Sequence, residues 1–170
     1  MRKHRFALSS VARMSRHASN RPKRWKQALA AGAGGALVVG ALAATRSTTL
    51  PLLMGSFGSS AVLVFGFPES GFCKPWAVIG AHVLCTAIGL LCLTFCGDHA
   101  WSLGLSVGLR ITLMLGLRLV HPPAGSNPLL VYALHPGWSF LLWPVLLGST
   151  ALVLGAALWR RAVGRTVTNE

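Results

Sequence analysis

The sequence predicts an all-α polytopic membrane protein built as two repeats, each a long helix, a short or broken helix and a long helix. That makes six segments, with at least four full crossings. Three observations lead there. More than half of the 170 residues (53%) are hydrophobic and only 11% are charged, with a mean hydropathy of +0.59, far from the balance of a soluble domain. The charges are gathered at the two ends of the chain. Two Gly- and Ser-rich interruptions of the apolar sequence recur at a constant offset of 67 residues.

A net charge of +13 would suit a nucleic-acid partner if it covered one face, but its placement argues otherwise. Nine of the sixteen Lys and Arg residues (Arg2, Lys3, Arg5, Arg13, Arg16, Arg21, Lys23, Arg24, Lys26) precede the first apolar run, and Arg160, Arg161 and Arg165 follow the last. The positive-inside rule then puts both termini in the cytoplasm, which requires an even number of crossings. The expected location is a bacterial cytoplasmic (inner) membrane, and no nucleic acid is expected as a partner. Residues 1–26 read as a basic arm, largely disordered, and 160–170 as a basic tail, both suited to anionic lipids. The acid-free start also fits an organellar transit peptide. The basic run continues to Trp25 and Lys26 without a small-residue cleavage site, which favours the arm.

The transmembrane part is expected over 27–159, in halves of about 27–97 and 101–159. Residues 27–45 carry no charge and approach the ~20 residues needed to cross the hydrocarbon core. Ala28, Gly32, Ala36, Gly40 and Ala44 recur every four positions and predict a flank for close helix packing, so that Gly32→Leu or Gly40→Leu would force helices apart. Between 50 and 68, Gly55, Ser56, Gly58, Ser59 and Ser60 crowd the first half of an apolar run. This reads as a short or broken helix starting at Pro51, whose small residues serve either packing or binding. Glu69 and Lys74 mark a loop, and 76–96 is a full span with His82 one to two turns inside it. A single His there reads as helix-bonded or interfacial rather than as a proton carrier. Cys92 and Cys96 share a face, but no His or carboxylate completes a ligand set. With Cys73 and Cys85 they read as small hydrophobes, and neither a metal nor a cofactor is expected.

The span 101–119 carries Arg110 near its middle. A guanidinium at the bilayer centre costs at least ~2.5–3.5 kcal/mol, so it must face protein or water. It either bonds backbone carbonyls opened by a broken helix or stands as a fixed positive charge that attracts anions. Then comes Val120-His121-Pro122-Pro123-Ala124-Gly125-Ser126-Asn127-Pro128. Adjacent prolines remove two backbone donors and push the preceding residue out of the α region, so one helix stops near Val120 and another begins at once. The positive end of the second carries His121, Ser126 and Asn127, where an anion can be held. After His135-Pro136-Gly137 turns the chain, 138–159 forms the last long span, with a mild kink expected at Pro144.

Gly58-Ser59-Ser60-Ala61-Val62-Leu63-Val64-Phe65 aligns with Gly125-Ser126-Asn127-Pro128-Leu129-Leu130-Val131-Tyr132. Interrupted segments at equivalent places in two halves point to a binding site near the midplane. Three crossings per half make the halves inverted and give six crossings. Four crossings plus two re-entrant hairpins satisfy the same parity, and that alternative stays open.

The segment Leu117-Arg118-Leu119-Val120-His121-Pro122-Pro123-Ala124-Gly125 resembles the signature of the HPP family of integral membrane proteins. The stretch Pro51-Leu52-Leu53-Met54-Gly55-Ser56-Phe57-Gly58-Ser59-Ser60-Ala61-Val62-Leu63-Val64-Phe65 is similar to that family's other recurrent segment. The resemblance covers about 45–160 and implies a small multi-helix membrane domain, with nitrite transport the role attached to plastid members.

The expected function is a transporter or channel for a small monovalent anion, nitrite being the candidate that the resemblance implies. Arg110 and His121 are the charged and titratable groups of the expected site; Ser59, Ser60, Ser126 and Asn127 are its neutral donors, with Gly58 and Gly125 at the turns and Pro51, Pro122 and Pro123 as structural motif. His121 either donates to the anion or couples a proton. The alternative is a non-transporting membrane scaffold whose basic arm binds lipid or a partner, and a homo-oligomer is compatible with both. An enzyme is not expected, since no nucleophile–base–orienter set, carboxylate pair, metal-spaced His cluster or phosphate loop is present.

Overall fold

The computed structural model describes residues 21–45 and 54–167, and their secondary structure is helical throughout. Helix α1 (Arg21–Ala44) begins six residues before the uncharged run, so the last part of the basic arm is helical. Helix α2 (Ser56–Gly66) is short, and Pro51, where it was expected to start, lies outside the described residues. A turn at Gly71–Cys73 leads into α3 (Pro75–Cys96), whose first residue is a proline in the first turn. Helix α4 (Ala100–Gly116) is followed by a 3₁₀ turn (Pro122–Ser126), the short α5 (Asn127–Leu134), turns over Trp138–Leu141 and Leu142–Leu146, and α6 (Leu147–Val167).

Among the described residues three stretches can cross a membrane by length and composition: Trp25–Ala44, Pro75–Cys96 and Trp138–Val163. With 17 residues at 1.5 Å each, α4 reaches about 26 Å, roughly one turn short of a ~30 Å hydrocarbon core. The expected four full crossings therefore reduce, on length and composition, to three spans and two shorter apolar helices, α2 and α4.

Helix α3 is the hub. One side joins α2 and α6 in a core of Phe57, Val64, Val78, Val145, Leu152 and Ala156. Another meets α4 and the 3₁₀ turn through Ala81, Cys85, Met114 and Ala124, and a third meets α5 through Ile88, Cys92 and Tyr132. The apolar character all round α3 follows from this position. At its far end Ser102 donates to the Gly97 carbonyl (2.6 Å) and accepts from the Tyr132 hydroxyl (2.9 Å), tying the start of α4 to α5.

Two expectations are corrected here. Ala28, Gly32, Ala36, Gly40 and Ala44 face outward, and a Cβ at Gly32 or Gly40 would meet nothing within 4 Å. The face of α1 that packs carries Gly34, Gly35, Val38 and Leu42, because the bulky Phe65 and Trp159 need a bare backbone opposite them at Gly34. The kink at Pro144 is a break: Trp143 is extended (φ −120°, ψ 120°), the region to which a following proline confines its neighbour.

Candidate functional site

The His-Pro-Pro segment interrupts the chain as its chemistry requires. Helix α4 ends at Gly116, Arg118 adopts a left-handed φ of 56°, and His121 is extended ahead of the two prolines. This turns the fully buried His121 ring against α2 and the Gly71–Cys73 turn. Its Nδ1–H donates to the Phe72 carbonyl (2.7 Å), so in the neutral ring Nε2 is the acceptor, and Nε2 lies 2.9 Å from Ser60 Oγ.

A second histidine joins it. His82 sits on α3 with Nδ1 donating to the Val78 carbonyl (2.8 Å), the helix-bonded state expected for it, yet its Nε2 is 3.4 Å from the same Ser60 Oγ. The rings of His82 and His121 lie 5.2 Å apart between centroids, and Phe57 closes the other side of His82 edge-on at 5.2 Å. Ser60 also donates to the Ser56 carbonyl (3.0 Å). On the next turns of α3, Asn127 Nδ2 donates to Thr86 Oγ1 (2.8 Å) and to the His82 carbonyl (3.3 Å). Thr86 is roughly halfway along α3, while His82 lies about 10 Å inside its Pro75 end. Hydrogen bonds thus link α2 and the start of α5 across the middle of the hub helix.

Arg110 approaches from α4. A Cβ at Gly125 would collide with its guanidinium Nη1, so the cation lies close against the backbone of the interrupted segment. Its Nε is buried without a hydrogen-bond partner, as are Asn127 Oδ1 and Ser56 Oγ. Of the acids among the described residues, Glu69 is exposed in a loop and Asp98 pairs with His135 at 3.0 Å, so neither compensates Arg110. Among the described residues, the bonds to opened backbone carbonyls considered for Arg110 are not formed.

Of the residues expected at the site, the structure brings together Ser60, His121 and Asn127, and separately Gly125 with Arg110. Gly58, Ser59 and Ser126 are exposed, and Ser126 bonds back to the Pro123 carbonyl (3.0 Å). Ser59 lines an open, apolar groove of about 540 Å³ together with Phe72, Pro122 and Pro123. Sequence reasoning passed over the roles of His82 and Thr86. Their four-residue spacing, which places both on one face of α3, was the available signal. All four cysteines are free, and among the described residues no three of His, Cys, Asp and Glu converge as a metal site.

Two proteins of Dictyostelium discoideum, each described as a transmembrane protein, are similar to this chain: one is 31% identical over 115 residues and the other 30% over 114. The matches take in 63% and 62% of this chain but only 40% and 37% of the relatives' own lengths. No solved structure matches. The family described as HPP, transmembrane region, matches residues 20–168, which takes in all the described residues and both His121-Pro122-Pro123 and the Gly- and Ser-rich segment of α2. An integral membrane protein with these interruptions, matched over residues 20–168, belongs to the HPP transmembrane family.

Proposed function

We propose that the protein is a transporter or channel for a small monovalent anion, nitrite being the first candidate, bound where Arg110 meets the corner formed by Gly125, Ser126 and Asn127. The observation that carries this reading is the Arg110 guanidinium, held against the Gly125 backbone with a buried, unbonded Nε and, among the described residues, no acid to balance it. Leaving a cation in an apolar setting costs several kcal/mol unless a counter-charge arrives, and a mobile anion is such a counter-charge. The start of α5 adds the positive end of a helix. Ser59 and the groove beside Pro122 mark the approach from outside.

The interrupted segments are read as duplicated halves. Support comes from their burial: Ser60 and Asn127, equivalent at the offset of 67, are both buried, while Ser59 and Ser126 are both exposed. The basic ends are assigned to the cytoplasmic side, against anionic lipid.

Protein reconstituted in liposomes is expected to conduct nitrite and nitrate above protein-free vesicles, and Arg110→Gln to lower that flux at least tenfold. Flux unchanged by Arg110→Gln would remove the role given to the guanidinium. The scaffold reading draws on a different observation, the bonds from Asn127 to α3 and from His121 to Phe72, which pin the fold whether or not anything passes. It predicts no anion flux in the wild type and loss of thermal stability alone on substitution of either residue.

A further inference from the structure

Ser60 has one hydroxyl hydrogen, and three acceptors face it. They are the Ser56 carbonyl at 3.0 Å, His121 Nε2 at 2.9 Å and His82 Nε2 at 3.4 Å. Both rings commit their Nδ1 hydrogens to backbone carbonyls, of Phe72 and Val78, so in the neutral state each Nε2 offers only a lone pair. Ser60, His82 and His121 are fully buried. The Ser56 carbonyl already accepts the helical N–H of Ser60, so with both rings neutral the single hydroxyl hydrogen can serve one Nε2 and leaves the other buried without a donor, an unfavourable state for a polar group. One added proton repairs most of this.

We propose that His82 and His121 hold a single exchangeable proton between them across Ser60. With the proton on His121, its Nε2–H donates to Ser60 Oγ, and the Ser60 hydroxyl is free to donate to His82 Nε2. Transfer then breaks the Ser60 O–H bond as an N–H bond forms on His82, while the His121 N–H bond breaks and restores the hydroxyl. No atom or electron is gained or lost, and the positive charge moves from one ring to the other. The bond to His121 has ordinary length; the contact to His82 is long, so the hand-over waits for that side to close by a few tenths of an ångström. His121 lies beside the groove lined by Phe72, Pro122 and Pro123, whereas the His82 carbonyl leads to Asn127 and Thr86, so the two ends of the relay differ in surroundings.

The elements around the pair bring few other charged or titratable groups. Helix α2 has none; the Gly71–Cys73 turn has Cys73; α3 adds Cys85, Cys92 and Cys96; α4 brings Arg110 behind Gly125; α5 has Tyr132; and α6 carries Arg160, which donates to the Val64 carbonyl at 3.4 Å, followed in sequence by Arg161 and Arg165. None of these is an acid. A proton arriving on the pair is therefore uncompensated unless an anion comes with it, and an anion arriving with a proton leaves the buried charge unchanged. Resting on the anion reading above, this makes the transport a one-to-one proton–anion symport; the proton site itself rests on geometry alone.

Histidine-¹⁵N-labelled full-length protein in lipid nanodiscs tests the proton site. His82→Asn and His121→Asn serve only to assign the two ring spectra. In the wild type the Nε2 signals of His82 and His121 are expected to change from unprotonated to protonated together, as one shared proton, as the pH falls. Ser60→Ala is expected to separate them into unlinked titrations. Nε2 nitrogens that stay unprotonated while the protein remains folded, or titrate independently in the wild type, would overturn the shared site without recourse to any variant. Nitrate flux in liposomes, a probe whose conjugate acid is too strong to carry it through lipid, tests the coupling. One-to-one symport accumulates nitrate about tenfold per pH unit of gradient at zero potential. Nitrate flux indifferent to the gradient overturns the coupling and leaves the anion reading standing. A shared proton with no flux of any anion overturns the anion reading and leaves the proton site standing.

Discussion

Gly125 and Arg110 are the residues on which the proposed chemistry turns. Because the clash of a new Cβ at Gly125 is with the far end of a flexible side chain, Gly125→Ala is expected to swing the guanidinium aside at little cost, within about 1 kcal/mol of wild-type stability. Anion flux should nonetheless fall several-fold, which a liposome assay beside a detergent melt resolves. Asn127→Ala removes donors to Thr86 and His82. In lipid, where the unfolded chain also finds partners, an interhelical bond averages about 0.6 kcal/mol with a maximum near 1.7, so the melting temperature should drop by roughly 2–5 °C. Cys73, outside the spans and 6% exposed, offers a chemical check. Burial pushes its thiol up from the ordinary value, more than the Arg160 charge draws it down, so less thiolate is present at neutral pH. Maleimide should modify it slowly in the folded protein and rapidly after unfolding.

At the scale of elements, the break at His121-Pro122-Pro123 was legible because proline acts locally, on its own nitrogen and on the residue before it. Of the two forms open for α2, short or broken, the structure shows the short one, an unbroken helix of 11 residues; Pro51, its expected start, lies outside the described residues. What the sequence did not disclose was which side of α1 faces the protein. Lipid is as apolar as Leu, so small residues at a four-residue spacing mark where a helix can pack and not where it does. The structure turns Gly34 inward, where a side chain would meet Trp159 and Phe65 at 2.5–2.8 Å. Gly34→Leu is expected to cost about 1–3 kcal/mol by overpacking, whereas Gly32→Leu and Gly40→Leu should leave the detergent melting temperature within a degree or two. Equal losses in all three variants would contradict the packing of α1 described above. His82 was hidden for a similar reason: Nδ1 satisfies the helix-bonded reading, and only the 22-residue reach to Ser60 shows that Nε2 has other work.

For the whole molecule, composition and end-weighted charge established a membrane protein, and the paired motifs led to the HPP family, which the match over residues 20–168 bears out. The count of crossings was less legible, because α4 is apolar enough to span and about a turn too short. The assembly of the site was illegible for a geometric reason. Ser60 and His121 are 61 residues apart and meet only because α3 presents one flank to α2 and another to the second interruption. The most direct test of an anion at Arg110 is the melting of purified full-length protein against nitrite and nitrate at constant ionic strength. Binding to the folded state alone stabilises by about 2.7 kcal/mol at one hundred times the dissociation constant. The expected result is a saturable rise in melting temperature for the wild type that disappears in Arg110→Gln; an equal rise in both proteins, or none in the wild type with either anion, would contradict it.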